Sequence, residues 1–167
     1  PTTKALTMAM TSENCPSTLT ERKAMLKLQN NYSRTNGFCG YIANTTHTFM
    51  SYAVKLAAKF MTNPGKKHWE YVVYMVGFLK HSAGFKIVYI QGRNFDGIFR
   101  ILIMADSDLG GDREDGRSTM GIVAYVNESF CYGASKTIKA VVINTTHGEY
   151  YSLTEGAQLW GSGSRAL

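Results

Sequence analysis

No apolar run in this chain approaches the ~20 residues needed to span a bilayer. The opening Pro1-Thr2-Thr3-Lys4-Ala5-Leu6 also lacks the apolar core of a secretion signal. Both absences argue against a membrane partner. Cysteine is scarce, and Cys15, Cys39 and Cys131 stand at spacings that match no metal motif. An odd, widely spaced set reads as reduced thiols of the cytoplasm or nucleus. In that setting the Asn-x-Ser/Thr triplets at Asn31, Asn44, Asn127 and Asn144 are chance occurrences rather than glycan acceptors. Methionine is missing from the first position, as expected of a processed or excised piece. Acidic residues are outnumbered, 12 against 18 basic ones, giving a net charge of +6 and a pI near 9.3. Such a balance favours polyanionic partners and says nothing about fold.

The 167 residues are 44% hydrophobic, enough for one packed domain or two small units. Residues 1–30 read as a polar lead-in holding a short charged helix from Thr20 to Leu28, capped by Thr18 or Thr20. From Gly37 the pattern turns helical: Phe38, Tyr41 and Ile42 recur at i, i+3, i+4. Phe49, Tyr52, Ala53, Leu56 and Phe60 repeat that pattern. Asn63-Pro64-Gly65 breaks the chain. A third helix over 66–82 carries Trp69, Val72, Val73, Val76 and Leu79 on one face, with Tyr71, Tyr74, Met75 and Phe78 as a second. The period then shifts to two. Strands are expected over 85–90, 99–105, 119–126, 129–133 and 140–143, with a hairpin turn at Asn127-Glu128 and an acidic, glycine-rich loop over 106–117. Asn144-Thr145-Thr146 caps a last helix, 147–160, with Glu149 in its first turn. Helices first, then strands, then one helix define an α+β fold with a mainly antiparallel sheet. Strands 99–105 and 119–126 should be antiparallel neighbours.

Several stretches occur in register with a known family. Asn31-Tyr32-Ser33, Tyr41-Ile42-Ala43-Asn44-Thr45-Thr46, Ser51-Tyr52-Ala53-Val54 and Lys59-Phe60-Met61-Thr62-Asn63-Pro64 come first. Lys67-His68-Trp69 and Phe78-Leu79-Lys80 follow, then Asp106-Ser107-Asp108, Asp112-Arg113, Arg117-Ser118-Thr119 with Gly121, and Glu149-Tyr150. Their order and spacing resemble the copia-type retrotransposon polyprotein, from the end of the reverse transcriptase region into the ribonuclease H domain. The resemblance implies a helical connection segment over 31–84 and a truncated ribonuclease H-like domain over 85–167. It covers nearly the whole chain, with departures. The family's Thr-Arg-Pro-Asp step is Thr46-His47-Thr48-Phe49, its tryptophan after the Asp pair is Leu109, its Lys-Gln pair is Lys136-Thr137, and the first glutamate of Glu-Ala-Glu-Tyr is His147. These read as drift in a copy released from its original work.

Ribonuclease H chemistry is phosphodiester hydrolysis by two divalent metals about 3.5–4 Å apart. Mg²⁺ prefers oxygen ligands, so carboxylates must converge. By resemblance, Asp106 and Glu149 are the catalytic and metal-ligating pair, with Asp108 in reserve. The family's later carboxylates have no counterpart before Leu167. The expectation is therefore a vestigial site, binding Mg²⁺ weakly or not at all and inactive as an isolated chain. Asp106 to Asp115 also reads as a solvated acidic turn. The Asp-Asp-Asp spacing of a calcium loop (106, 108, 112) fails where position twelve is Arg117. A Ser118–His147–Asp106 triad lacks its Gly-x-Ser-x-Gly elbow.

A second reading is a non-catalytic module that binds an RNA–DNA hybrid or other nucleic acid. Lys55, Lys59, Lys66, Lys67 and Lys80 would neutralise phosphates, with Tyr52 and Trp69 near enough to stack on bases. The same lysines could equally form a solvated face.

Overall fold

The computed structural model describes residues 10–89 and 97–163. The chain divides into two compact units, Pro1–Lys86 and Ile87–Leu167. Helices come first, followed by a small antiparallel sheet and a C-terminal helix, an α+β order.

In the first unit, helix α1 (Leu19–Ala24) begins at Thr18. The Thr18 hydroxyl accepts from the Glu21 amide, and the Glu21 carboxylate accepts from the Thr18 amide, both at 3.2 Å. This reciprocal capping satisfies two amides that would otherwise be orphaned, and it holds the Glu21 carboxyl below its usual range. Helix α2 (Leu26–Thr45) starts well before Gly37, where the pattern had placed its onset. Its buried seam is Tyr32, Asn36, Cys39 and Ala43, spaced 4, 3 and 4 apart. Phe38 and Tyr41, expected inside, are 58% and 71% exposed. Polar Asn36 sits within the seam, and the aromatics lie off it.

A 3₁₀ turn leads into helix α3 (Ser51–Ala58), which buries Ala53, Leu56 and Ala57 but leaves Phe49 and Tyr52 exposed. After Pro64-Gly65, helix α4 (Lys66–His81) buries His68, Tyr71, Val72, Met75 and Leu79. Its packed side therefore joins part of both expected faces, and Val73 and Val76 stay outside. Helices α2 and α4 run in the same direction. Gln29 and Ser33 donate to the carbonyls of Thr62 and Met61, just ahead of α4, and His47 meets the Ser82 carbonyl beyond the far ends of both helices. Residues from the lead-in pack on this unit, with Met10 only 2% exposed. The His68 Nδ1 accepts from the Gly65 amide at 3.0 Å, so its Nε2 carries the proton and donates to the Thr11 carbonyl at 3.0 Å. Its ring stacks on Phe60 at 4.2 Å.

The second unit is a meander, β1 (Ile101–Asp108), β2 (Thr119–Val126) and β3 (Ser129–Thr137), in spatial order β1-β2-β3 and antiparallel throughout. β1 and β2 pair as expected, Ala105 opposite Ile122 and Asp106 opposite Gly121. Asn127 and Glu128 both have positive φ, 45° and 67°, the two-residue turn whose twist suits a hairpin. Helix α5 (Thr145–Gly163) lies on the face formed by Ile103, Ala105, Met120 and Ile122. Asn144 caps it through the His147 amide at 2.8 Å.

Two expected strands are absent. Residues 85–89 carry no strand, and Ile90 lies outside the described residues. Phe85 instead turns back to the Ser82 carbonyl and packs edge-on against Phe49, leaving its segment without a strand partner. Residues 140–143 also form no strand. Val142 packs against the Met120–Ile122 cluster, whereas Val141 and Ile143 are more than 80% exposed at 85% and 82%. Their β-branched composition alternates in and out without a ladder to join.

Candidate functional site

The acidic end of the second unit is built by the close of β1, the loop after it and the first turns of α5. Side chains on a strand alternate between faces. Ile103, Ala105 and Ser107 are half-buried toward α5, whereas Met104, Asp106 and Asp108 are exposed on the other face. Glu149, half-buried in α5, accepts a hydrogen bond from the Ser107 hydroxyl at 3.2 Å across 42 residues of chain. The structure thus brings Glu149 to the same end of the unit as the two aspartates, but to the residue between them. The Asp106 carboxylate lies on the exposed face of β1, whereas the Glu149 carboxylate is engaged by Ser107 on the face toward α5. Asp106 instead accepts from the Ser107 amide at 3.0 Å, and Asp108 turns toward Gly111, where an added Cβ would collide with it.

The loop after β1 is closed largely on itself. Asp112 is 8% exposed and accepts from the Glu114 amide, and Asp115 accepts from the Arg117 amide and pairs with that guanidinium at 3.5 Å. The Ser118 hydroxyl accepts from the Gly110 amide. These carboxylates cap their own backbone, as short Asp side chains do in tight turns. Among the described residues no group of three or more His, Cys, Asp or Glu side chains is placed to hold a metal.

Close approach of α5 to β1 depends on small residues that composition did not single out. Gly148, Ser152 and Gly156 recur four apart, and Ser152 is fully buried. A Cβ on Gly148 would come within 2.6 Å of the Ser107 Oγ, and one on Gly156 within 2.9 Å of Ile103. This stripe delivers Glu149 to Ser107. Its spacing of i, i+4, i+8 was the available signal.

The cationic candidates lie in the helical unit. Lys55 and Lys59 stand four apart at the end of α3, the Lys55 ammonium 5.7 Å from the Tyr52 ring centre. Lys66 and Lys80 lie at opposite ends of α4 on one stripe with Trp69, Val73 and Val76, while Lys67 is about a quarter-turn away. No acidic partner for Lys66, Lys67 or Lys80 occurs among the described residues. Charge is segregated along the sequence. Residues 1–86 hold eleven Lys and Arg against three acidic residues, net +8, and residues 87–167 hold seven against nine, net −2. No helix among the described residues is long and apolar enough to cross a membrane.

Helices, a three-stranded meander and a helix packed on its β1–β2 side define an α+β protein whose acidic and basic features fall in separate units. The chain is homologous to retrotransposon Pol polyproteins at moderate identity. It is 30% identical over 149 residues to the retrovirus-related Pol polyprotein from transposon TNT 1-94 of Nicotiana tabacum, which covers 89% of this chain and 11% of that polyprotein. It is 28% identical over 108 residues to the Pol polyprotein from transposon RE2 of Arabidopsis thaliana, 65% of this chain and 7% of that one. The chain thus spans a small part of the polyproteins it matches. It is also 24% identical over 127 residues to secreted RxLR effector protein 161 of Plasmopara viticola, 76% of this chain and 87% of that protein. No family model and no solved structure matches.

Proposed function

We propose that this chain is a Pol-derived segment of ribonuclease H-like ancestry that does not hydrolyse RNA–DNA hybrids by itself. One observation carries the reading: α5 packs on β1 and β2 of the meander and sets Glu149 beside the Asp106–Asp108 end of β1. The family resemblance implies a strand aspartate and a helix glutamate at this same end, although here Glu149 bonds Ser107 rather than an aspartate. The same geometry supports the lack of activity, since Glu149 is engaged by Ser107 on the α5 face while Asp106 lies on the exposed face. Two-metal hydrolysis needs its carboxylates around one centre. Incubating the chain with an RNA–DNA hybrid and Mg²⁺ tests the reading. No cleavage is expected, and Asp106→Asn should behave as the parent. Hybrid cleavage that disappears in Asp106→Asn would overturn it.

The concentration of +8 in residues 1–86 favours a second role for the same chain, contact with nucleic acid through the helical unit. Lys66, Lys67 and Lys80 extend from α4 with no acidic partner among the described residues, so their charge is available to phosphates. Binding should weaken steeply with salt as counterions are released. The double change Lys66→Ala/Lys67→Ala should weaken binding on all sequences alike. Binding that ignores salt would remove this role.

A further inference from the structure

The first unit contains a groove that neither the acidic end nor the lysine set accounts for. It is a shallow, widely open groove of about 390 Å³ between the side-by-side helices α2 and α4, lined by Asn31, Arg34, Thr35, Phe38, Trp69 and Val76. That volume falls within the roughly 300–1,000 Å³ of ligand-binding clefts. On α2, Asn31, Thr35 and Phe38 follow at i, i+4, i+7 and so share a face, with Arg34 beside them. On α4, Trp69 and Val76 are also seven apart. The groove therefore has one wall bearing an amide, a hydroxyl and a guanidinium, and another bearing an indole and an aliphatic side chain. Of the lining aromatics, Phe38 is 58% exposed and Trp69 half-buried.

No ion pair or hydrogen bond occupies Arg34 among the described residues, and no carboxylate lines the groove. The occupant should therefore bring a negative charge for Arg34 and a flat ring for Trp69 and Phe38. Its hydrogen-bonding edge would meet Asn31 and Thr35. The unit's net charge of +8 selects a polyanion over an acidic small molecule. A duplex keeps its rings stacked inside, so only an unpaired strand can insert a base here. We infer that the α2–α4 groove binds single-stranded nucleic acid, a base lying against Trp69 and Phe38 and its phosphate on Arg34. This inference rests on the nucleic-acid reading above but adds a site and a strandedness that the lysines do not specify.

The test uses the whole chain with Trp160→Phe, leaving Trp69 as its single tryptophan. Titration with a short oligothymidylate is followed by Trp69 emission, and anisotropy of a labelled oligothymidylate gives the overall affinity. Emission should be quenched in step with binding, and a hybrid duplex of equal length should bind without quenching. Phe38→Ala, an exposed position, should weaken single-strand binding on the order of tenfold. Arg34→Gln should lower the slope of log affinity against log salt by about 0.7, the loss of one phosphate contact on a single strand. Binding without quenching, or unchanged binding in both variants, overturns the groove and leaves the nucleic-acid reading standing. Equal quenching by the duplex overturns the strandedness. No binding even at low salt overturns both.

Discussion

Ser107 lies between the two aspartates at the end of β1 and is the residue whose hydroxyl meets Glu149. The family resemblance singles out the aspartates on either side of it, and Glu149 reaches the serine instead. A strand's two-residue period means that one position decides which face a carboxylate serves. Other residues can be read with the same directness. Burial pushes the Cys39 thiol up, so at neutral pH it stays protonated and non-nucleophilic. Alkylation of the folded chain followed by mass spectrometry should modify exposed Cys131 first and spare Cys39 until unfolding. Early labelling of Cys39 would show that the α2 seam opens. Tyr32 is fully buried and donates its hydroxyl to the Ala57 carbonyl at 2.7 Å, with burial keeping the phenol neutral well above its ordinary range. Tyr32→Phe should cost about 1–2 kcal/mol, seen as a lower midpoint in denaturant. An unchanged midpoint would mean that water replaces the lost donor.

Among elements, legibility followed the regularity of the pattern. β2 was readable from Thr119 to Val126 because its apolar run is bounded by turn residues on both sides. The hairpin was readable because only a two-residue link separates it from β3. The 85–90 and 140–143 segments misled because β-branched and aromatic composition reports a liking for sheets, whereas a strand needs a partner edge. Helix faces were harder still. Polar Asn36 and His68 are buried while Phe38 and Val73 are not, so hydrophobicity alone pointed to the wrong side of α2 and to only part of the packed side of α4.

Helical glycines offer a test of this packing. Gly148→Ala places a methyl against Ser107 and should destabilise by about 1–3 kcal/mol, whereas Gly77→Ala in α4 meets open space and should stabilise by about 0.5–1 kcal/mol. Paired denaturant titrations should show shifts of opposite sign. Equal shifts would mean that α5 does not lie closely on β1. Glu128→Gly should likewise stabilise the hairpin, because a positive φ costs an L-residue about 1–2 kcal/mol and glycine almost nothing.

At the scale of the whole molecule, homology to Pol polyproteins and the order of helices, meander and helix agree with what the motifs implied. Which of the candidate site residues share a face was not legible, because facing depends on strand register and on the Gly148–Ser152–Gly156 stripe. Charge segregation was hidden by the modest overall net charge, since +8 and −2 partly cancel. The claim that inactivity comes from facing is tested most directly by calorimetric titration of Mg²⁺ into the parent chain, Asp106→Asn and Ser107→Asp. The account predicts no saturable uptake at millimolar-free levels by the parent, no change in Asp106→Asn, and new uptake in Ser107→Asp, where a carboxylate would share the face of Glu149. Saturable uptake by the parent that is abolished in Asp106→Asn would contradict it.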